Sequence, residues 1–231
     1  LYMVRFYILG KIMKKELEIR QQLADKKAKI DMHKKLLQNG FQYRGNINQN
    51  SYFFDTQQQT LEQSKVKFRI RNSIDNDNQE NILLTLKLKK TQIIDGIREA
   101  KEYETWLNHK SEDDLNEINT VLSTFNTPTL SKNIFDVSLG DKLIDYMSGQ
   151  GYELAEIIKN NRSFYALEDV EATIDEFYSD EKGNKLSIPQ INIEIESNNT
   201  NKLRQICGLL GLSKSKNEQN TWWDACKNRS Y

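Results

Sequence analysis

Lys65-Val66-Lys67-Phe68-Arg69-Ile70-Arg71 alternates strictly, with a cation at every odd position and an apolar side chain at every even one. Period two is the mark of a β-strand with two unlike faces. The apolar face calls for a core. The other face lines up four positive charges, and like charges on a strand repel each other and their cross-strand neighbours. Such a run makes sense where something polyanionic neutralises it.

The same two-faced pattern recurs along the chain. Glu16, Glu18 and Arg20 oppose Leu17 and Ile19, and Thr85, Lys87 and Lys89 oppose Leu84, Leu86 and Leu88. Arg98, Glu102 and Glu104 share one parity; near the end Asn192, Glu194 and Glu196 oppose Ile191, Ile193 and Ile195. Any one of these strands reads as a sheet with a solvated charged face, since charges usually lie outside. Taken together, basic strands and acidic strands describe a site. Carboxylates at i and i+2 point the same way, ~7 Å apart, and suit hard cations bound through oxygen.

Extended segments are predicted at Lys15–Gln21, Tyr52–Thr56, Lys65–Arg71, Ile82–Lys89, Arg98–Trp106, Ala155–Leu167, Glu171–Tyr178 and Lys185–Glu196. About eight strands suit a closed antiparallel barrel, and the lack of regular strand–helix alternation argues against a doubly wound parallel sheet. Helices are predicted at Asp25–Gly40, from the Ser111 capping box to about Phe125, at Asn201–Leu212 and around Trp222–Lys227. Asn72–Asn81 reads as a loop and Ser179–Asn184 as a hairpin turn. Helices laid on the apolar faces leave the charged faces turned inward. The expected fold is therefore α+β, a closed antiparallel eight-stranded tunnel barrel with a charged interior, flanked by helices.

Composition narrows the function. The 231 residues carry 33 Lys plus Arg and 33 Asp plus Glu, a balance that speaks against a general nucleic-acid binder. No apolar run approaches the ~20 residues of a membrane span. Residues 1–12 are read as an N-terminal extension, with a single domain over 13–231. Cys207 and Cys226 lack metal-site spacing and read as free thiols, which places the protein in the reducing cytoplasm. His33 and His109 are isolated, and no Gly-rich phosphate loop is present.

A family resemblance runs through these strands. Glu16-Leu-Glu18-Ile-Arg20 resembles the opening Glu-x-Glu-x-Lys signature of CYTH proteins, the triphosphate tunnel metalloenzymes, with Arg20 in place of the usual Lys. Tyr52-Phe-Phe-Asp55-Thr56 is similar to the family's Tyr-x-Asp-Thr strand, Lys67-Phe-Arg69-Ile-Arg71 to its basic strand, and Leu84-Thr85-Leu86-Lys87 to its Thr-x-Lys strand. Lys159-Asn-Asn-Arg162-Ser-Phe-Tyr165, Thr173-Ile174-Asp175 and Ile193-Glu194-Ile195-Glu196 resemble the later elements, so the match extends over most of the chain.

The resemblance implies a tunnel in which cations bind a small-molecule triphosphate and carboxylates hold Mg²⁺ or Mn²⁺. It carries the metal role to Glu16, Glu18, Glu194 and Glu196, with Asp175 and Glu104 as weaker candidates. The phosphate role goes to Arg20, Arg69, Arg71, Lys87 and Arg162, then to Lys67 and Lys185. Arg20 offers a planar fork where Lys is a point charge. A carboxylate of the Glu194/Glu196 pair is expected to orient or deprotonate the attacking water, and Arg20 is counted with the pair among the catalytic candidates. Tripolyphosphate, thiamine triphosphate and nucleoside triphosphates all suit such hydrolysis. The alternatives are a class IV adenylate cyclase making cyclic AMP from ATP, a non-catalytic polyphosphate or nucleotide binder, and a triphosphatase acting on RNA ends. Oligomeric state stays open.

Overall fold

A computed structural model describes residues 13–74, 80–94, 97–179 and 185–212. Eight strands form the wall: β1 (Met13–Leu23), β2 (Gln42–Asp55), β3 (Val66–Ile74), β4 (Glu80–Ile94), β5 (Ile97–Trp106), β6 (Glu153–Leu167), β7 (Val170–Ser179) and β8 (Lys185–Ser197). They close in the order β1-β5-β4-β3-β2-β6-β7-β8, every pair antiparallel. Closure matters because no strand edge of the barrel is left to pair with another chain. Outside lie α1 (Lys26–Gln38), α2 (Thr60–Gln63), α3 (Glu112–Thr124), α4 (Asp141–Gly149) and α5 (Thr200–Leu210).

Alternation sends apolar side chains outward and polar ones inward. The outward ones form two separate cores. Ile19 of β1, Ile174 of β7 and Ile191, Ile193 and Ile195 of β8 pack with Met32 and Leu36 of α1 and with Leu203, Ile206 and Leu210 of α5. Phe68 and Ile70 of β3 and Leu84 and Leu86 of β4 pack with Leu61 of α2, Leu115, Ile118 and Leu122 of α3, and Leu143 and Met147 of α4. Each fully buried aliphatic here contributes roughly 1.5–3 kcal/mol. The hydrophobic effect thus works between wall and helices, which frees the barrel's inside for charge.

Local signals fix the helix ends. The Asp25 side chain accepts from Ala28 N at 2.8 Å to start α1, and Ser111 accepts from Asp114 N at 3.4 Å to start α3. Glu112, Asp113 and Asp114 then place negative charge at the positive end of the α3 dipole. Gly211 ends α5 with φ of 70°, a left-handed turn that costs glycine little. Asp55 closes β2 by accepting from Thr56 N, Leu61 N and Glu62 N, which ties the Asp-Thr turn to the first residues of α2.

All eight expected strands are present. β2 begins ten residues before Tyr52, because Gln42–Ser51 carries only Tyr43 and Ile47 as large apolar side chains and shows no sustained period-two contrast. The expected loop over Asn72–Asn81 is shorter than the sequence indicates: β3 continues to Ile74 and β4 starts at Glu80, with Asn72 donating to Glu80 at 2.8 Å across the ladder. α2, α4 and a 3-10 turn at Lys132–Asp136 are elements that the hydrophobic pattern does not announce. The extension over 1–12, the turn residues 180–184, Cys226 and the helix around Trp222–Lys227 lie outside the described residues.

Candidate functional site

Register decides which charges meet inside. β3 on β4 sets Lys67 opposite Lys87 and Arg69 opposite Thr85, while β2 on β3 sets Phe53 opposite Arg69 and Ser51 opposite Arg71. At the β1–β8 seam Glu18 faces Glu196 and Arg20 faces Glu194. The result is a basic arc on β3 and β4 across from an acidic seam. Between them lies a cavity of about 110 Å³, room for several waters. Its charged lining is Glu18, Arg20, Lys67, Arg69, Arg71, Lys87, Arg162 and Asp175.

Two ion clusters organise this interior. In the first, Lys87 Nζ lies within 3.0 Å of carboxylate oxygens of Glu16, Glu18 and Glu102. Burial opposes the Lys87 charge, and Glu102, Glu16 and Glu18 outweigh it, so its pKa stands well above the usual lysine range. Burial also works against Glu18, yet Lys87 and Arg20 hold it well below the usual carboxylate range. Glu102 goes the same way, to about 2, as Lys87 and Arg69 override burial. Glu16 goes the other way: burial and the nearby Glu196 raise it well above that range despite Lys87.

In the second cluster Arg162 grips Asp175 through both arms of its fork, Nε to Oδ1 at 2.7 Å and Nη2 to Oδ2 at 2.6 Å. Arg20 donates to Glu194, and Arg162 Nη2 reaches the other Glu194 oxygen at 3.5 Å. Burial, with repulsion from Glu18 and Glu196, pushes Glu194 up to about 7 even against Arg20 and Arg162.

Arg71 differs from these paired cations. Burial, with Arg69 and Arg162 close by, lowers it to about 9. The Nε atoms of Arg69 and Arg71 are buried with no hydrogen-bond partner among the described residues. A buried donor left so costs about 1–3 kcal/mol, more when charged. Both amide atoms of Asn192 and the Thr173 hydroxyl are likewise unpartnered.

One oxygen each from Glu16, Glu18 and Glu196 comes within 4.8 Å of the others, a three-carboxylate set able to hold a metal ion. All-oxygen donors of this kind suit Mg²⁺, Mn²⁺ or Ca²⁺ over softer metals.

A model of the CYTH domain matches residues 14–217. The chain belongs to the CYTH family. No curated protein matches the chain. Among solved structures, this CYTH barrel resembles the PH1012 protein of Pyrococcus horikoshii OT3 at TM-score 0.56 and 15% identity, over 90% of this chain and 98% of that one. It also resembles the putative adenylyl cyclase HpAC1 from Hippeastrum, described by a dominant triphosphatase activity, at TM-score 0.57 and 18% identity, over 92% and 95%. A putative adenylate cyclase from Vibrio parahaemolyticus gives TM-score 0.57 and 14% identity, over 91% and 97%.

Within the CYTH barrel, the metal candidates taken from sequence divide. Glu16, Glu18 and Glu196 converge, whereas Glu194 and Asp175 stand outside that set, tied to Arg20 and Arg162. Glu104 also stands apart, accepting from the Thr85 hydroxyl at 3.2 Å. Of the phosphate candidates, Arg20, Lys67, Arg69, Arg71, Lys87 and Arg162 all line the one cavity. Lys185 starts β8 opposite Ser179, and its side chain is outside the described set. Glu102, missing from the candidates, is a direct partner of Lys87; its signal was the register Lys87↔Glu102, which needs strand pairing to be seen. His33 is no isolated surface group, for its Nδ1 bonds the Tyr165 hydroxyl at 2.8 Å outside the barrel.

Proposed function

We propose that the barrel hydrolyses a triphosphate with the help of a divalent metal. The observation that carries this reading is a cavity lined by Arg69 and Arg71, whose buried Nε donors have no hydrogen-bond partner among the described residues, and by Glu18, a member of the Glu16–Glu18–Glu196 carboxylate cluster. Arg69 and Arg71 need an anion with several oxygens, and a chain of phosphates supplies them. Lys67, Lys87 and Arg162 extend the same wall, so a linear polyanion can be held at several points.

Phosphoryl transfer asks mainly for positioning and charge neutralisation. Glu16, Glu18 and Glu196 would hold Mg²⁺ or Mn²⁺, which supplies Lewis-acid polarisation of phosphate oxygens when bound. Arg20 and Arg162 fix the Glu194 carboxylate from two sides. So fixed, Glu194 orients a water and accepts its proton during attack on the terminal phosphorus.

Alanine at Glu16 or Glu18 is expected to abolish metal-dependent turnover while the circular dichroism of the barrel is retained. Near-normal activity in either variant would sink the metal assignment. Cyclisation of ATP to cyclic AMP is the second reading, favoured by the cyclase names of two neighbours; it is separated by identifying the product.

A further inference from the structure

Exposed apolar side chains are not scattered evenly over this molecule. Among the described residues six large ones stand in solvent: Ile30, Leu37, Tyr43, Ile74, Tyr178 and Leu209. Ile30 and Leu37 share one stripe of α1, two turns apart, 54% and 44% exposed. On the other side of the same helix Met32 and Leu36 are buried in the outer core. His33 falls between Ile30 and Leu37, and the Tyr43 ring stands edge-on to it with centroids 5.9 Å apart. Leu209 lies in the last turn of α5, next to Leu210, whose carbonyl accepts from Lys35 Nζ of α1 at 3.3 Å. Four of the six thus gather where α1, the start of β2 and the end of α5 meet.

The same corner is basic. α1 carries Lys26, Lys27, Lys29, Lys34 and Lys35 against one acid, Asp31. Glu176 takes Lys29 at 2.6 Å and Asp31 takes Lys27 at 3.1 Å. Lys26 and Lys34 are exposed and lie within one turn of Ile30 on its own stripe. Lys35 meets only a neutral carbonyl there, which leaves its charge in place.

Charge selects the occupant. A second copy seated here about a two-fold axis would set lysines against lysines. The segment 213–231, which follows α5, carries Lys214, Lys216, Lys227 and Arg229 against Glu218 and Asp224, so it is repelled as well. A nucleic acid would use the lysines and leave Ile30 and Leu37 in water. A bilayer with anionic headgroups satisfies both kinds of side chain, lysines at headgroup level and aliphatic groups just beneath. The patch is also convex, since the outer face of a helix carries it. A deformable lipid surface meets such a shape without the matching groove that a protein partner would have to supply.

We propose that this corner is a docking surface for an anionic lipid bilayer. α1 lies along the interface, with Lys26 and Lys34 at the headgroups and Ile30, Leu37 and Tyr43 pressed among them. No spanning segment is needed, and the barrel interior takes no part in the contact. A basic residue close to an anionic surface changes partitioning roughly five-fold.

The test sediments the full chain with vesicles of phosphatidylcholine alone and of equimolar phosphatidylcholine and phosphatidylserine. The proposal expects binding to the second kind only, weakening as salt is raised. Lys26→Glu combined with Lys34→Glu should cut that binding roughly ten-fold or more. Ile30→Ser combined with Leu37→Ser should also weaken it, while the salt dependence is kept. Both pairs change exposed side chains, so circular dichroism and melting temperature are expected to stay at their wild-type values. No sedimentation with phosphatidylserine vesicles would overturn the proposal. So would binding that both variants retain in full, which would put the contact elsewhere on the chain. Capture of a polyglutamate peptide in place of vesicles would give the face to an acidic protein. Dimerisation in place of vesicle binding, abolished by either variant, would give it to a second copy, and either result overturns the lipid assignment.

Discussion

Glu18 and Glu196 face each other directly across the β1–β8 seam, two carboxylates in register on the inside of the barrel. Directly opposed like charges destabilise a sheet, so this pair survives only because cations are held against it. Lys87 bonds Glu18 at 2.9 Å, with Arg98 at 3.8 Å and Arg20 at 4.0 Å from the same carboxyl. The seam is a place where the fold gives up stability and the site gains charge.

Arg71 gives the first prediction. Its buried Nε has no hydrogen-bond partner among the described residues, and replacing that group by an apolar side chain of similar length removes the cost of a buried unsatisfied donor. Arg71→Met should raise the unfolding free energy of the ligand-free protein by about 1–3 kcal/mol. Tripolyphosphate should raise the melting temperature of wild type, as any ligand of the folded state does, and do so far less in the variant. Urea denaturation and thermal shift check the two halves.

Lys87 behaves oppositely, because it is paired. Lys87→Met strips the cation from Glu16, Glu18 and Glu102. Breaking a buried pair from one side costs about 3–5 kcal/mol. A denaturation midpoint unchanged from wild type would contradict the network.

Glu194 makes stability depend on pH. Its folded pKa, about 7, lies above the ordinary 4.5, so between those values the native state binds the proton and the unfolded chain has released it. That share of stability is present below pH 4.5 and is lost as pH rises toward 7. At 1.36 kcal/mol per pKa unit the share is about 3 kcal/mol. In chelator-treated protein, Glu194→Gln should therefore gain on wild type between pH 5 and pH 7.5. A constant difference across that range would remove the assignment.

The outer core is tested at Ile193, which is fully buried between β8 and its helices. Ile193→Ala should cost about 2–5 kcal/mol and leave the charged interior in place. Equilibrium unfolding reads the loss directly.

The strands were legible because each one carries two incompatible faces, and incompatibility survives without neighbours. Glu16, Glu18 and Arg20 announce their parity against Leu17 and Ile19 in the bare sequence. Gln42–Ser51 does not, since Tyr43 and Ile47 are its only large apolar side chains, and so the first ten residues of β2 were hidden. α4 is a nine-residue helix resting on Leu143 and Met147, too short for its periodicity to stand out. The site was legible as a list but not as a geometry. Glu102 and Glu104 have the same parity, and only register shows that Glu102 meets Lys87 while Glu104 meets Thr85. The same holds for Glu194 and Glu196: one turns to Arg20 and the other joins Glu16 and Glu18.

The most direct measurement is phosphate release by the purified protein from tripolyphosphate, thiamine triphosphate and ATP, with Mg²⁺, with Mn²⁺ and with chelator, and with cyclic AMP assayed alongside. The account predicts phosphate release that requires the metal and stops on chelation, with no cyclic AMP formed. Cyclic AMP as the product of ATP, or triphosphates that bind tightly and are never cleaved in either metal, would contradict it.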